Sequence, residues 1–310
     1  MKDIGDFYLA LIEIISENQI LKDEPLSNHT SFKVGGQAKY IVYPKTTNEI
    51  INIIDLCQKN NMPYYIMGKG SNLLVSDKGY EGIIIKIEDD FSNINIRQLS
   101  KEKYLVHAQA GISLSKMAKF LASNELVGFE FAAGIPGTLG GAVTMNAGAY
   151  DGEIKDIIKA ATVLDKDCNL ITLSKEELDL AYRSSIIQKK GYIVLEVEFS
   201  LSKGNSNEIF AKIKELNNRR REKQPLEYPS AGSAFKRPVG NYAGKLIMDS
   251  GLKGYSIGGA QVSTKHCGFV INKGNATATD VFNLLNHIKK VVYEQYGVAL
   301  EQEVKMLGDF

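Results

Sequence analysis

Three cysteines, Cys57, Cys168 and Cys267, are all that the 310 residues contain. They are far apart, odd in number and in no CxxC spacing, which excludes a zinc ribbon and a disulfide framework and fits a reducing cytoplasm. Histidine is almost as scarce. His29, His107, His266 and His287 form no HxH or HExxH pattern, so no metal site is expected. Charge of one sign is lacking too: 37 Lys and Arg against 36 Asp and Glu leave a net charge of +1. Such a chain has no electrostatic footprint for wrapping nucleic acid or holding an anionic membrane. No apolar run approaches the ~20 residues that span a bilayer. Near the N-terminus Ile4, Phe7, Leu11, Ile14 and Ile15 make a helical stripe, and Asp3, Asp6, Glu13 and Glu17 interrupt any signal-peptide core. What remains is ordinary globular usage, 44% hydrophobic and 24% charged. At roughly 150 residues per domain, two or three domains are expected, in a soluble cytoplasmic protein with no obligate protein partner evident.

Short strand-like runs alternate with helices, which reads as an α+β chain. Strands are expected at 39–43, Tyr64–Met67, 82–87, 104–110 and 192–200. Thr46 and Glu49 stand at capping-box spacing before Ile50, Ile53, Ile54 and Cys57, predicting a helix. Further helices are expected at 113–124, 205–221 and 279–296, the last closed by Gly297. A second capping box, Ser174 with Glu177, predicts a short helix through Tyr182. Residues 300–305 read as a terminal strand, with Glu301 and Glu303 on one face.

Two segments are built like phosphate cradles. The first, Gly68-Lys69-Gly70-Ser71-Asn72, directly follows a strand. Glycines permit tight turns whose N–H groups converge on an anion, and Ser71 and Asn72 add side-chain donors. The second is Gly134-Ile135-Pro136-Gly137-Thr138-Leu139-Gly140-Gly141-Ala142, followed by Asn146-Ala147-Gly148. Pro136 at a helix start would leave N-terminal amides open to phosphate. Either loop alone could equally be a tight turn; together they favour a dinucleotide, whose pyrophosphate needs donors from two sides. No GxGxxG after a strand and no GxxxxGK[ST] occurs, so the nucleotide belongs to another fold.

In the second half, Tyr182-Arg183-Ser184-Ser185 offers a planar guanidinium suited to a carboxylate, or else a surface ion pair. Gly232-Ser233-Ala234-Phe235-Lys236 presents a serine that could donate a proton or be a plain loop residue; it is not the GxSxG elbow.

Taken in order, six segments are more specific than any one. They are His29-Thr30-Ser31-Phe32-Lys33-Val34-Gly35-Gly36, Gly68-Lys69-Gly70-Ser71-Asn72-Leu73-Leu74, 134–142, Tyr182-Arg183-Ser184-Ser185, Gly232-Ser233-Ala234-Phe235-Lys236 and Leu300-Glu301-Gln302-Glu303-Val304. The set resembles the UDP-N-acetylenolpyruvoylglucosamine reductase family, from about residue 25 to 303. The resemblance implies non-covalent FAD in a two-subdomain fold of the vanillyl-alcohol-oxidase type, plus a C-terminal α+β substrate-binding domain. The cuts would fall at 1–95, 96–203 and 204–303, with 300–310 possibly rejoining the first subdomain. FAD would be held by Gly68, Lys69, Gly70, Ser71, Asn72, Leu73, Gly134, Ile135, Pro136, Gly137, Thr138, Gly140, Gly141, Ala142, Asn146, Ala147 and Gly148.

The same resemblance makes Arg183, Ser233 and Glu303 catalytic, with Glu303 preferred over Glu301 because the family's carboxylate directly precedes the Val-like position. It implies hydride transfer from NADPH to flavin N5 and on to the enolpyruvyl sugar nucleotide, completing UDP-N-acetylmuramate for peptidoglycan, and so serving cell shape and division. Arg183 and protonated Glu303 would stabilise the enolate and Ser233 would protonate it. Tyr182, Arg220, Lys223, Tyr228, Lys236 and Asn241 are candidates for the substrate; for the basic run a solvated helix end is the alternative. Two departures matter. Only 49 residues lie between Arg183 and Ser233, which leaves no room for the tyrosine-bearing insertion of the longer class. No histidine stands in 68–72, which argues against covalent flavin. A flavin oxidase and a non-catalytic nucleotide-binding protein are the competing readings.

Overall fold

A computed structural model describes residues 4–310. It divides into two compact units. The first comprises residues 4–21, Ile41–Lys69 and Gly82–Arg219; the second comprises Lys22–Tyr40, Gly70–Glu81 and Arg220–Phe310. Asp3 lies outside the described residues, and the N-terminal stripe forms a helix, Ile4–Ile12, with Phe7 and Leu11 buried.

Sequence logic explains most elements of the first unit. Thr46 accepts from the Glu49 amide and starts the helix Thr47–Lys59, which buries Ile50, Ile53, Ile54 and Cys57. The expected return bond is diverted: the Glu49 carboxylate accepts from Lys45 N at 2.6 Å and Gln19 Nε2 at 3.1 Å. The main sheet runs Leu170–Ser174, Ile158–Leu164, Ile193–Lys203, Lys103–Gln109, Ile94–Gln98, all antiparallel, with Leu126–Val127 also pairing to Ile193–Lys203. In its central strand Leu195, Val197, Phe199 and Leu201 are buried while Glu196, Glu198 and Ser200 alternate outward, the signature of one covered face. Phe199 meets Phe129 edge-on at 5.8 Å. Helix Leu114–Ser123, capped by Ser113, adds Met117, Ala118, Leu121 and Ala122 to the core.

The second unit is built on the antiparallel sheet Ser230–Ser233, Phe269–Asn272, Ala260–Val262, Ser256–Ile257. Its core cluster includes Val281, Leu284, Leu285, Ile288 and Val292 of the helix Ala278–Tyr296, all fully buried. Gly297 ends that helix at φ 65. Asp77 caps its start from far away in sequence, accepting from Ala278 N at 2.7 Å and Thr279 N at 2.8 Å. Strand Leu73–Val75 pairs in parallel with Lys305–Leu307. A further sheet runs Ile20–Pro25, Gln37–Val42, Tyr80–Lys86, Tyr64–Met67, and the division between units passes through three of its strands.

Four expectations change. Residues 175–179 form a turn after the strand Leu170–Ser174, although Ser174 and Glu177 do exchange backbone-to-side-chain hydrogen bonds. Leu178 and Leu180 are both buried, and residues two apart point to different sides of a helix. Asp179 at φ 45 instead bends the chain. Pro136 does not open a helix: the helix Leu139–Thr144 starts at its N-cap Thr138. The terminal strand begins only at Lys305, and Gln302 forms an isolated bridge with Phe235. The expected cuts at 95/96 and 203/204 do not coincide with the compact units. Long-range pairing draws 22–40 and 70–81 to the C-terminal residues, and helix Ser206–Lys223 crosses the division at Arg219.

Candidate active site

Glycine at 68 is dictated by the close approach of the Thr138 side chain. A Cβ there would lie 2.3 Å from Thr138 Oγ1, so the Thr138 side chain of the second glycine-rich loop packs directly on bare backbone at the end of strand Tyr64–Met67. Gly140 packs on Ala110 in the same way, at 2.9 Å from its Cβ. Leu139 N donates to Ile112 O and Gly140 N to Ala110 O. These amides, expected to face a phosphate, are thus spent on protein carbonyls. Ile135 N and Ala142 N likewise donate to Ala132 O and Thr138 O, while Gly137 turns at φ 150 and Lys69 is half-buried after Gly68. Gly70 turns at φ 59 in the second unit, where a Cβ would strike His29 O at 2.3 Å. Ser71 is half-buried and Leu73 buried.

The second run, 146–148, is engaged elsewhere. Asn146 is fully buried at φ 42. Its Nδ2 donates to Ala181 O at 3.1 Å and its Oδ1 accepts from Lys155 N at 2.9 Å. Ala147 N donates to Ala142 O, and Gly148 O accepts from Arg183 Nη2 at 3.4 Å. So Asn146 and Gly148 support the arginine turn.

That turn is tight. Ala181 and Ser184 exchange both backbone hydrogen bonds, and Arg183 between them sits at φ 52. A left-handed non-glycine residue costs roughly 1–2 kcal/mol and persists only when its surroundings over-determine it. Here they do. Ser185 Oγ donates to Thr144 O at 2.6 Å, and Gln188 Nε2 donates to Thr144 O at 2.8 Å and Arg183 O at 3.3 Å. The guanidinium lies over the exposed Tyr182 ring at 5.3 Å. Gln188 was not singled out from sequence; the spacing Ser185-x-x-Gln188 at a helix start was the available signal.

In the second unit the structure brings Ser233 and Glu303 to neighbouring positions. Ser233 is exposed at the end of strand Ser230–Ser233, opposite Phe269. The next residue, Ala234, is buried; its N donates to Gly268 O at 2.8 Å and its O accepts from Glu303 N at 3.0 Å. Glu301 is on the outer side, where Lys236 Nζ donates to its carboxylate and Lys236 N to its carbonyl. The choice of Glu303 thus leaves Glu301 paired with one of the proposed substrate lysines. Tyr228 OH accepts from Lys273 Nζ at 2.6 Å. Asn241 caps its own loop through Val239 O at 3.4 Å. Arg220 is half-buried and Lys223 exposed at the end of the long helix.

Burial sets the remaining titrations. The Cys57 thiol is pushed up to about 12, so it is not a thiolate at neutral pH. Desolvation lowers the pKa of His266, whose Nδ1 accepts from Gly268 N at 3.1 Å and must therefore be unprotonated. Among the described residues there is no cluster of His, Cys, Asp and Glu able to hold a metal ion, and no helix long and apolar enough to cross a membrane.

The chain is similar to two sets of known proteins. Its residues 38–174 match the FAD binding domain family, and 224–307 match the UDP-N-acetylenolpyruvoylglucosamine reductase C-terminal domain. It is 56% identical over 299 residues to the UDP-N-acetylenolpyruvoylglucosamine reductase of Lachnoclostridium phytofermentans, covering 96% of each chain. Against the reductase of the same name from Clostridium perfringens it is 52% identical, covering 99% of each. The crystal structure of UDP-N-acetylenolpyruvylglucosamine reductase from Thermus caldophilus superposes with a TM-score of 0.77 at 33% identity, covering 92% of this chain and 98% of that one. The two-subdomain FAD-binding fold with an added C-terminal domain thus stands, and the chain belongs to the UDP-N-acetylenolpyruvoylglucosamine reductase family.

Proposed function

We propose that this protein is a cytoplasmic NADPH-dependent flavoenzyme that reduces the enolpyruvyl group of UDP-N-acetylglucosamine enolpyruvate, giving UDP-N-acetylmuramate for peptidoglycan. The observation that supports the proposal beyond family membership is the backbone bond from Glu303 N to Ala234 O, which brings the Glu303 backbone to the residue that follows the exposed Ser233. FAD fits the residues present: the bare backbone of Gly68 against the Thr138 side chain and the glycines of 134–142 suit a diphosphate, and Lys69 offsets its charge. When bound it supplies the hydride chemistry, taking a hydride from the nicotinamide and returning it to the enolpyruvyl methylene carbon.

The chain's own groups do the rest. As hydride reaches the methylene carbon, negative charge develops on the neighbouring carbon and its carboxylate. Arg183 grips that carboxylate with a forked guanidinium, and the strained turn holds the fork ready before substrate arrives. Glu303, protonated, donates a hydrogen bond to the same carboxylate. Ser233 transfers its hydroxyl proton to the carbon next to the carboxylate and is reprotonated from water. An alcohol is a weak acid, so the step relies on position and on the basicity of the enolate. Tyr182 binds the substrate, and Arg220, Lys223, Tyr228, Lys236 and Asn241 bind its uridine diphosphate portion.

The test separates the two half-reactions anaerobically. NADPH should bleach the flavin, and UDP-N-acetylglucosamine enolpyruvate should restore its absorbance without oxygen. Ser233→Ala should keep the first step and slow the second by about 10²–10⁴-fold. Equal slowing of both steps would remove Ser233 from proton transfer, and reoxidation only on admitting air would mark an oxidase.

A further inference from the structure

Asn72 belongs to the first glycine-rich loop, and sequence logic gives its amide to the cofactor diphosphate. Its contacts lead elsewhere. Asn72 Nδ2 donates to the carbonyl of Glu303 at 3.1 Å, and Lys305 N donates to Asn72 O at 3.0 Å. The amide of Glu303 is held by Ala234 O at 3.0 Å. Both polar groups of the Glu303 peptide unit are therefore fixed, one by the residue after Ser233 and the other by Asn72. Immediately downstream, Leu73, Leu74 and Val75 pair with Lys305, Met306 and Leu307, so the chain at 305 is registered while 303 lies just before the ladder. A side-chain amide is what reaches back across that gap.

We infer that Asn72 is a positioning residue for Glu303: the first glycine-rich loop uses its asparagine to set the backbone, and so the carboxyl, of the residue proposed to grip the substrate. This inference rests on the reductase reading given above. It predicts that Asn72 matters to the half-reaction that consumes the enolpyruvyl substrate and not to the binding or reduction of FAD.

Asn72→Ala separates the possibilities. Apoprotein titrated with FAD, followed by flavin fluorescence, should give an affinity within about twofold of the parent, and NADPH should reduce the flavin at an unchanged rate. Anaerobic reoxidation by UDP-N-acetylglucosamine enolpyruvate should slow at least tenfold, with the pH profile of that step displaced. Amide hydrogen exchange over 301–305 should quicken in the absence of any substrate. Loss of FAD affinity with parallel slowing of both half-reactions would overturn the inference and return Asn72 to the diphosphate. Unchanged exchange and unchanged reoxidation would overturn it as well. If Asn72→Ala does not fold, Asn72→Ser, whose hydroxyl is too short to reach Glu303 O, is read by the same criteria. A parent protein that is never reoxidised by this substrate would sink the reductase reading instead, and the exchange data would still judge the contact.

Discussion

The arginine turn and the serine–glutamate pair are built by opposite means. Arg183 is held in a left-handed conformation by side chains: Asn146, Ser185 and Gln188 all bond to backbone carbonyls around it. Neither Ser233 nor Glu303 has a positive φ, and backbone pairing places both, with the Asn72 side chain also bonding the Glu303 carbonyl. A strained turn stores geometry locally and needs buried amides to hold it. A ladder stores geometry in register and tolerates side-chain change. The first arrangement aims a long flexible arginine; the second fixes the backbones that carry two shorter groups.

The largest effect should come from removing the clamp. Asn146→Ala removes a fully buried amide, leaving the Ala181 carbonyl with Ser184 N alone and the Lys155 amide without its acceptor, and should cost about 1–3 kcal/mol, read from the denaturant midpoint. If the cost is only a few tenths, water replaces the amide and the clamp is not what holds the turn.

A sharper comparison uses glycine at both places. Arg183→Gly should abolish substrate-driven reoxidation yet stabilise the fold by about 0.5–1 kcal/mol, because glycine adopts φ 52 freely. The same change at Glu303 should lose activity and destabilise by roughly 0.5–1 kcal/mol, since no strain is relieved there. Equal signs at the two positions would erase the distinction between them.

The smallest effect is one of pH. His266 has its pKa lowered by burial, so the unfolded chain binds more protons than the folded one below the ordinary histidine value of 6.5. Stability from this group is complete above about pH 6.5 and is lost as pH falls, when protonation costs Nδ1 its bond from Gly268. Gly268 O holds Ala234 N, so the loss acts on the serine region. His266→Ala should remove the loss of stability that sets in as pH falls below about 6.5.

Local sequence determined the helices with clear caps and stripes. Thr46, Ser113 and Gly297 act where their chemistry predicts, because a cap bonds to residues three or four positions away and needs no tertiary partner. The same rule misled at Ser174, where the capping bonds formed but two buried leucines forced a turn. The motif order marked the family, and glycine at 68, 70 and 140 is required by close packing against Thr138, His29 and Ala110. Which partner each amide would find was not legible. Asn72 and Asn146 read as cofactor donors in one dimension, and both turn out to bond protein carbonyls. The bond from Asn72 spans 231 positions, and that between Asp77 and helix Ala278–Tyr296 spans 201. Only folding decides such pairings, because a hydrogen bond depends on distance in space and the sequence carries no record of which distant carbonyl arrives.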